Sequence, residues 1–339
     1  MLIRISPDSN IQHIQAKMKT LGLWTSTYNS EFDGQTLLSV KKHSAFVSRD
    51  VIESIPGVIE VIQPKSAHPL VDKLRNKALH LERINLHIGG DCPPVLMSGP
   101  CSIESEVDVH QAAAMVAAAG GRLLRGGAYK PRTSPYSFCG HGSIALAWMK
   151  EAAQAHSLGI ITEALSIENV SDVAQVADII QIGARNMQNY PLLKVIGQTG
   201  KPALLKRSMS STVDEWLLAG EHLLSAGSRF VLFCARGIRG YDPHTRNLLD
   251  LGAAALLKHI HGLTVIVDPS HAVGRRDLIY PLSKASLAMG VDGLLIEAHH
   301  NSGYAKSDGP QALNAIELQK VGQLVQSFNQ NQTPTAKST

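Results

Sequence analysis

From Val95 onward, short apolar runs alternate with alanine-rich or amphipathic stretches, at a period of roughly 25–30 residues. The runs Val95–Ser98, Arg122–Gly126, Gly159–Thr162, Ile179–Ile182, Ala203–Leu205, Phe230–Cys234, Thr264–Val267 and Gly293–Ile296 predict eight strands. The stretches between them, such as Ala112–Ala119, Val213–Ser225 and Leu278–Met289, predict helices, and the last helix is expected at Ala312–Phe328. Eight strand–helix cycles point to a closed parallel (β/α)8 barrel, a TIM barrel of the α/β class, over residues 93–328.

The N-terminal pattern is different. Leu2–Ser6 predicts a strand, and Ile11–Leu21 a helix that follows the cap-like run Pro7-Asp8-Ser9-Asn10. Leu23–Tyr28 and Thr36–Val40 predict two strands around a turn at Asp33-Gly34. Val51–Ile55 predicts a short helix ended by Pro56-Gly57, and Val58–Ile62 a closing strand. The order β-α-β-β-α-β is that of a small α+β ferredoxin-like domain over residues 1–66. Residues 67–92 read as a linker with a helix at Leu70–His80, and the polar residues 329–339 as a disordered tail.

The chain is 339 residues long, a length that suits a barrel plus a small appendage. Hydrophobic residues make up 44% and charged residues 18%, the balance of a globular protein with a large core. The net charge of +4 is too small and too scattered to argue for nucleic acid. Four cysteines without a CxxC pair read as reduced thiols of a cytoplasmic protein. The N-terminus MLIRISPDSN lacks an apolar signal core, and no apolar run is long enough to span a membrane.

Each predicted strand is followed by a charged or nucleophilic residue. In this fold, the strand C-termini form the active-site mouth. Arg125, Lys130, Arg132, Arg185, Lys206, Arg236 and Arg239 would bring seven positive charges there. Left unpaired they would repel one another, so a polyanionic ligand is expected, although any one of them alone reads as a rim salt bridge. Cys101, His271, Glu297 and Asp308 form a mixed S/N/O set suited to a divalent transition ion. Singly, each has a plainer reading: a small buried thiol, a loop imidazole, a turn carboxylate. Their spacing forms no compact metal motif.

The strings GPCSIES, RGGAYKPRTSPYSF, QIGARNMQN, LLKR, ARGIR, TRNLLDL, VDPSHAVGRRDL and IEAHHNSGYAKSDGPQ are shared with a known family. Over about Gly99 to Gln311 the chain resembles the 3-deoxy-D-arabino-heptulosonate 7-phosphate (DAHP) synthases. The branch is type I beta, which is akin to the 3-deoxy-octulosonate 8-phosphate synthases. The N-terminal unit resembles the ferredoxin-like regulatory domain that some of them carry.

The resemblance implies condensation of phosphoenolpyruvate with erythrose 4-phosphate, the first step of the shikimate pathway. It implies Cys101, His271, Glu297 and Asp308 as ligands of a divalent ion, with Mn2+, Fe2+, Co2+ and Zn2+ undistinguished. Lys130 and Arg125 would hold the phosphoenolpyruvate carboxylate, and Arg185, Lys206 and Arg236 its phosphate. Arg132, Thr133 and Ser134 would hold the aldose phosphate, and their KPRTS loop favours the four-carbon aldose. The ion would act as a Lewis acid on the aldehyde, and Lys130 would move a proton to the developing alkoxide. For the proton of the attacking water, Glu163 and a water on the ion both remain open. A homo-oligomer, dimer or tetramer, and an aromatic amino acid effector are also expected.

Four features depart from the family pattern: Ala235, Ser208, the Cys139/His141 loop and His299-His300-Asn301. None of them replaces an expected ligand. Two other readings compete. One is condensation with a different phosphorylated aldose such as arabinose 5-phosphate, against which the KPRTS loop argues. The other is a non-catalytic, metabolite-sensing barrel, against which the intact ligand set argues.

Overall fold

In the computed structural model, the eight apolar runs close into one parallel barrel. The structure describes residues 1–29, 36–41, 45, 47–62, 66–130, 136 and 138–331. They form two compact units, Met1–Ala67 and His68–Thr339.

The first unit contains β1 (Leu2–Ile5), α1 (Ile11–Thr20), β2 (Thr25–Asn29), β3 (Thr36–Val40), α2 (Arg49–Glu53) and β4 (Val58–Ile62). The strands pair antiparallel in the order β2-β3-β1-β4, the ferredoxin-like arrangement. Ile3, Ile14, Met18, Leu38, Ile52 and Val61 form its buried core. Asn10 caps α1 by accepting a hydrogen bond from His13 N–H at 3.1 Å. The short helix starts at Arg49 rather than Val51, because Ser48 is extended and takes the N-cap position. The turn expected at Asp33-Gly34 lies outside the described residues.

The second unit begins with α3 (Pro69–Asp72), β5 (Ala78–Leu81) and β6 (Leu86–Gly89). This corrects the expected linker and its helix over Leu70–His80. Asn76 has a left-handed φ of 55°, which stops a helix there. Beyond it the burial alternates, with Leu79 and Leu81 inside and Ala78 and His80 outside, and Leu79 pairs with Ile88. The hairpin's apolar face belongs to the same core as the barrel.

The barrel strands are β7 (Val95–Gly99), β8 (Leu123–Arg125), β9 (Gly159–Glu163), β10 (Ile179–Ile182), β11 (Ala203–Lys206), β12 (Val231–Ala235), β13 (Val265–Val267) and β14 (Gly293–Glu297). Each pairs in parallel with its sequence neighbour, and β14 pairs with β7 to close the ring. Around them lie α4 (Glu106–Ala118), α5 (Ser143–Ala155), α6 (Val170–Val176), α7 (Tyr190–Gln198), α8 (Val213–Ser225), α9 (Leu251–Ala255), α10 (Pro269–Val273), α11 (Ile279–Ala288) and α12 (Ala315–Asn331). A π-helical turn, Leu256–Ile260, continues α9.

Two caps place particular helices. Thr212 and Glu215 form a reciprocal capping box on α8, and Trp216 on that helix donates to Leu205 O at 3.1 Å, fixing it against β11. Asn314 and Glu317 exchange side-chain-to-backbone hydrogen bonds of 2.9 Å, which moves the start of α12 to Ala315. That helix runs to Asn331, so residues 329–331, expected in the tail, are helical, and residues 332–339 lie outside the described set. Among the described residues, no helix is long and apolar enough to cross a membrane.

Candidate active site

The C-terminal end of the barrel collects the chemistry. Gly99 ends β7 at φ 146°, and a Cβ there would lie 2.0 Å from Arg125 O. Glycine therefore lets β7 and β8 close up, which sets the loop bearing Cys101 beside Arg125. His271 lies on α10, directly after β13, where the Asp268 side chain caps the helix by accepting from His271 N–H at 2.9 Å. Glu297 ends β14, and its backbone N–H donates to Ser270 Oγ at 3.0 Å. Asp308 sits beyond β14 in the left-handed region at φ 53°, which aspartate tolerates better than most residues.

These elements gather Cys101, His271, Glu297 and Asp308 into one group, with one ligand atom from each lying within 4.8 Å of the others. Cys101 Sγ is 3.0 Å from Asp308 Oδ2, and His271 Nε2 is 3.6 Å from Glu297 Oε1. A tetrahedral ion with bonds of about 2.0–2.3 Å needs ligand atoms roughly 3.3–3.8 Å apart, so small shifts complete a shell.

The protonation states fit as well. Burial pushes the Cys101 thiol up to about 12, with Glu297 adding to the effect, so its thiolate needs a cation beside it. Burial also lowers the His271 pKa, against the pull of Asp268 and Glu297, which favours the neutral form that ligates a metal. Burial opposes the Asp308 charge, but the Cys101 thiol and the charges around it prevail and hold its pKa at about 2. Glu297 is likewise lowered, with burial outweighed by His271 and Arg125. The donor set and its burial fit a divalent transition ion.

A second layer fixes these donors. Asp268 Oδ2 lies 2.8 Å from His271 Nδ1, which directs Nε2 toward Glu297. Gln311 donates to Glu297 Oε2, and Arg246 reaches Asp308 Oδ1 and Gln311 Oε1 at 3.4 Å each. Asp268, Gln311 and Arg246 are not among the residues singled out from sequence as site residues. Asp268 stands in the VDPSHAVGRRDL string, but nothing in the spacing marks it as the partner of the imidazole.

The cations around the group do not stand as seven free charges. Arg125 is buried and donates through Nη1 to Glu297 at 2.7 Å. Burial works against its charge, yet Glu297 and its other anionic neighbours keep its pKa raised. Lys206 is buried and paired with Asp268 at 2.7 Å. Lys130 Nζ lies 2.9 Å from Cys101 Sγ and donates to Cys101 O at 3.0 Å.

Arg236 is 5% exposed, and its Nη1 is buried with no hydrogen-bond partner among the described residues. Burial lowers its pKa, and repulsion from Arg246 and Arg185 adds to this. Such a cluster costs free energy until an anion enters it. Arg185 and Arg239 are exposed at the rim. Arg132, Thr133 and Ser134 lie outside the described residues.

Glu163 is buried at the end of β9 and accepts from Gln181 Nε2 at 2.8 Å. A Cβ at Gly183 would meet its Oε1 at 2.1 Å, so glycine makes room for the carboxylate. Arg207, adjacent to Lys206, serves the scaffold instead, donating to Asp250 at 2.8 Å and Ser211 O at 2.9 Å. Cys92, Cys101 and Cys234 are free thiols.

A parallel barrel with an S/N/O group and a buried arginine cluster at its C-terminal mouth has the makings of one class: barrels suited to a metal ion and a polyanionic ligand together. Residues 66–333 match the model of the DAHP synthetase I family, and the chain belongs to that family. It is 37% identical over 97% of its length to phospho-2-dehydro-3-deoxyheptonate aldolase of Thermotoga maritima, 96% of which is covered. It is 28% identical to 2-dehydro-3-deoxyphosphooctonate aldolase of Francisella tularensis subsp. holarctica, over 72% of this chain and 94% of that one. The crystal structure of the Thermotoga maritima aldolase (DAHP synthase) superposes with a TM-score of 0.75 at 34% identity, covering 97% of each chain.

Proposed function

We propose that the chain condenses phosphoenolpyruvate with erythrose 4-phosphate, giving DAHP and phosphate at the entry of the shikimate pathway. The observation that carries this reading is the full-length likeness to the Thermotoga maritima enzyme, which includes the N-terminal unit. The likeness to the octonate aldolase covers only 72% of the chain.

The site roles proposed here are those the family resemblance implies, with the charges and distances of the described residues in support. Arg236, with its orphaned Nη1, takes the phosphate of phosphoenolpyruvate together with Arg185 and Lys206. Lys130 takes its carboxylate, as does Arg125 through the donors that Glu297 leaves over. Arg132, Thr133 and Ser134 hold the aldose phosphate.

Cys101, His271, Glu297 and Asp308 would hold a divalent ion, which would supply Lewis-acid polarisation of the aldehyde of erythrose 4-phosphate. C3 of phosphoenolpyruvate then bonds to the aldehyde carbon. Lys130, whose ammonium already reaches the ligand group, delivers a proton to the new alkoxide. Water adds at C2, its proton passing to Glu163 or to a further water. The C2–O bond to phosphate then breaks, with the electron pair leaving on phosphate, while the C2 hydroxyl becomes the ketone and passes its proton to the departing phosphate. The arginines and lysines hold charge that is displaced as this bond breaks.

The N-terminal unit supplies none of these groups. We assign it control by an aromatic amino acid, acting within a homo-oligomer. The test of the reaction is phosphate release with erythrose 4-phosphate against arabinose 5-phosphate. A preference of at least tenfold in kcat/KM for the four-carbon aldose is expected, and the reverse preference would assign the octulosonate reaction.

A further inference from the structure

Outside the active-site mouth, a second group of metal-ligating side chains occurs in the barrel unit: His68, Asp72 and His261. One ring nitrogen of each imidazole and one Asp72 oxygen lie within 4.8 Å of one another. His68 Nδ1 is 3.0 Å from Asp72 Oδ1, and the two imidazole rings stand 5.9 Å apart, centroid to centroid, at 60°. Two histidines and one carboxylate form an N/N/O set, which suits Zn2+ or a neighbouring transition ion and not a cation that prefers oxygen only.

Position and support distinguish this group from a chance surface cluster. His68 is the N-cap residue of α3 and Asp72 the last residue of that helix, four positions apart. His261 lies in the loop before β13, at the N-terminal end of the strands, opposite the active-site mouth. The two segments are already held together. Glu221 on α8 accepts from Leu70 N–H at 3.0 Å and Val71 N–H at 2.9 Å, and Val71 is fully buried. Asn76 N–H donates to Gly262 O at 2.7 Å, next to His261. The ligands thus sit on fixed backbone, which lowers the ordering cost of binding.

Burial lowers the His261 pKa, with His68 and Arg75 adding to it and Asp72 and Asp214 opposing it. A neutral imidazole is the ligating form. Arg75 adds positive charge beside His261, and Asp72 and Asp214 offset it.

We propose that His68, Asp72 and His261 bind a second divalent transition ion, separate from the catalytic one, with water completing its shell. The ion staples α3, the first helix of the barrel unit, to the loop that leads into β13. It has no part in the condensation, so the proposal stands or falls independently of the assigned reaction.

The experiment is equilibrium dialysis of the full chain against Zn2+, with metal content per chain and melting temperature as readouts. Wild type should hold two ions. His271→Ala, which breaks the mouth group, should hold one and keep a Zn2+-dependent rise in melting temperature. Adding His261→Ala to that variant should remove both the ion and the rise. Asp72 is exposed enough to replace safely, so Asp72→Asn in the His271→Ala background should weaken Zn2+ binding by tenfold or more. His261→Ala alone should retain turnover within about twofold. If His271→Ala holds no ion, or if its ion survives both the His261 and Asp72 changes, the proposal is overturned. The exposed group Glu106, His110 and Glu151 provides the control, and loss of the ion on His110→Ala would likewise overturn it.

Discussion

Asp268 Oδ2 lies 2.8 Å from His271 Nδ1, and this one contact sets which imidazole nitrogen faces the ligand group. The same oxygen is 2.7 Å from Lys206 Nζ, so a single buried carboxylate contacts both a proposed metal ligand and a cation proposed to grip substrate. Burial opposes its ionisation, but His271 and Lys206 prevail and hold its pKa well below the usual carboxylate range. Asp268→Asn keeps the shape and loses the charge. It should weaken metal binding by about 10–100-fold, read by titration with a competing chelator. Unchanged affinity would mean that the contact is only structural.

Lys130→Ala should lower kcat far more than it raises KM. Its ammonium lies 2.9 Å from Cys101 Sγ, beside the proposed ligand group, and in the proposed mechanism the alkoxide it serves develops charge in the reaction and not on binding alone. Steady-state kinetics decide the matter. An unchanged kcat with a raised KM would make Lys130 a binding residue.

The capping box on α8 should appear as an acid-dependent stability difference. Glu215 accepts from Thr212 N–H at 2.7 Å and Thr212 O–H at 3.0 Å, and these bonds lower its pKa below the ordinary 4.5. A depressed folded-state pKa contributes stability above the unfolded value and loses it as pH falls through the folded one. The melting temperature of Glu215→Gln should therefore lie below wild type at pH 7. The gap should close as the pH drops below 4.5. A gap that widens in acid would contradict this account.

Much of the scaffold was legible because each barrel strand is a short apolar run, buried on both faces and bounded by a helical stretch. The hairpin β5–β6 was not. Its alternation spans only four residues per strand, and the left-handed turn at Asn76 leaves no mark in the hydrophobic pattern. The four proposed ligands were found by residue type and by resemblance, since strand closure alone brings Cys101 to Asp308 across 207 positions. Pairing was harder to read. Arg125 and Lys206 counted as free cations in the sequence, yet each lies against a buried carboxylate contributed by a distant strand or loop.

The control assigned to the N-terminal unit has its own test. A chain lacking residues 1–66 should retain turnover and lose inhibition by Tyr or Phe, measured by titrating each amino acid against both forms. The coupling to be lost is on the order of 1–3 kcal/mol. Equal inhibition of both forms, or no inhibition of the full chain, would exclude a regulatory role.

The central claim is that the ion held by Cys101, His271, Glu297 and Asp308 carries the condensation. The most direct measurement is turnover of phosphoenolpyruvate and erythrose 4-phosphate by metal-stripped enzyme, with metal content verified, before and after Mn2+ is restored. The account predicts no turnover in the stripped enzyme and recovery on reloading, with no recovery in His271→Ala. Full turnover at verified zero metal would contradict it.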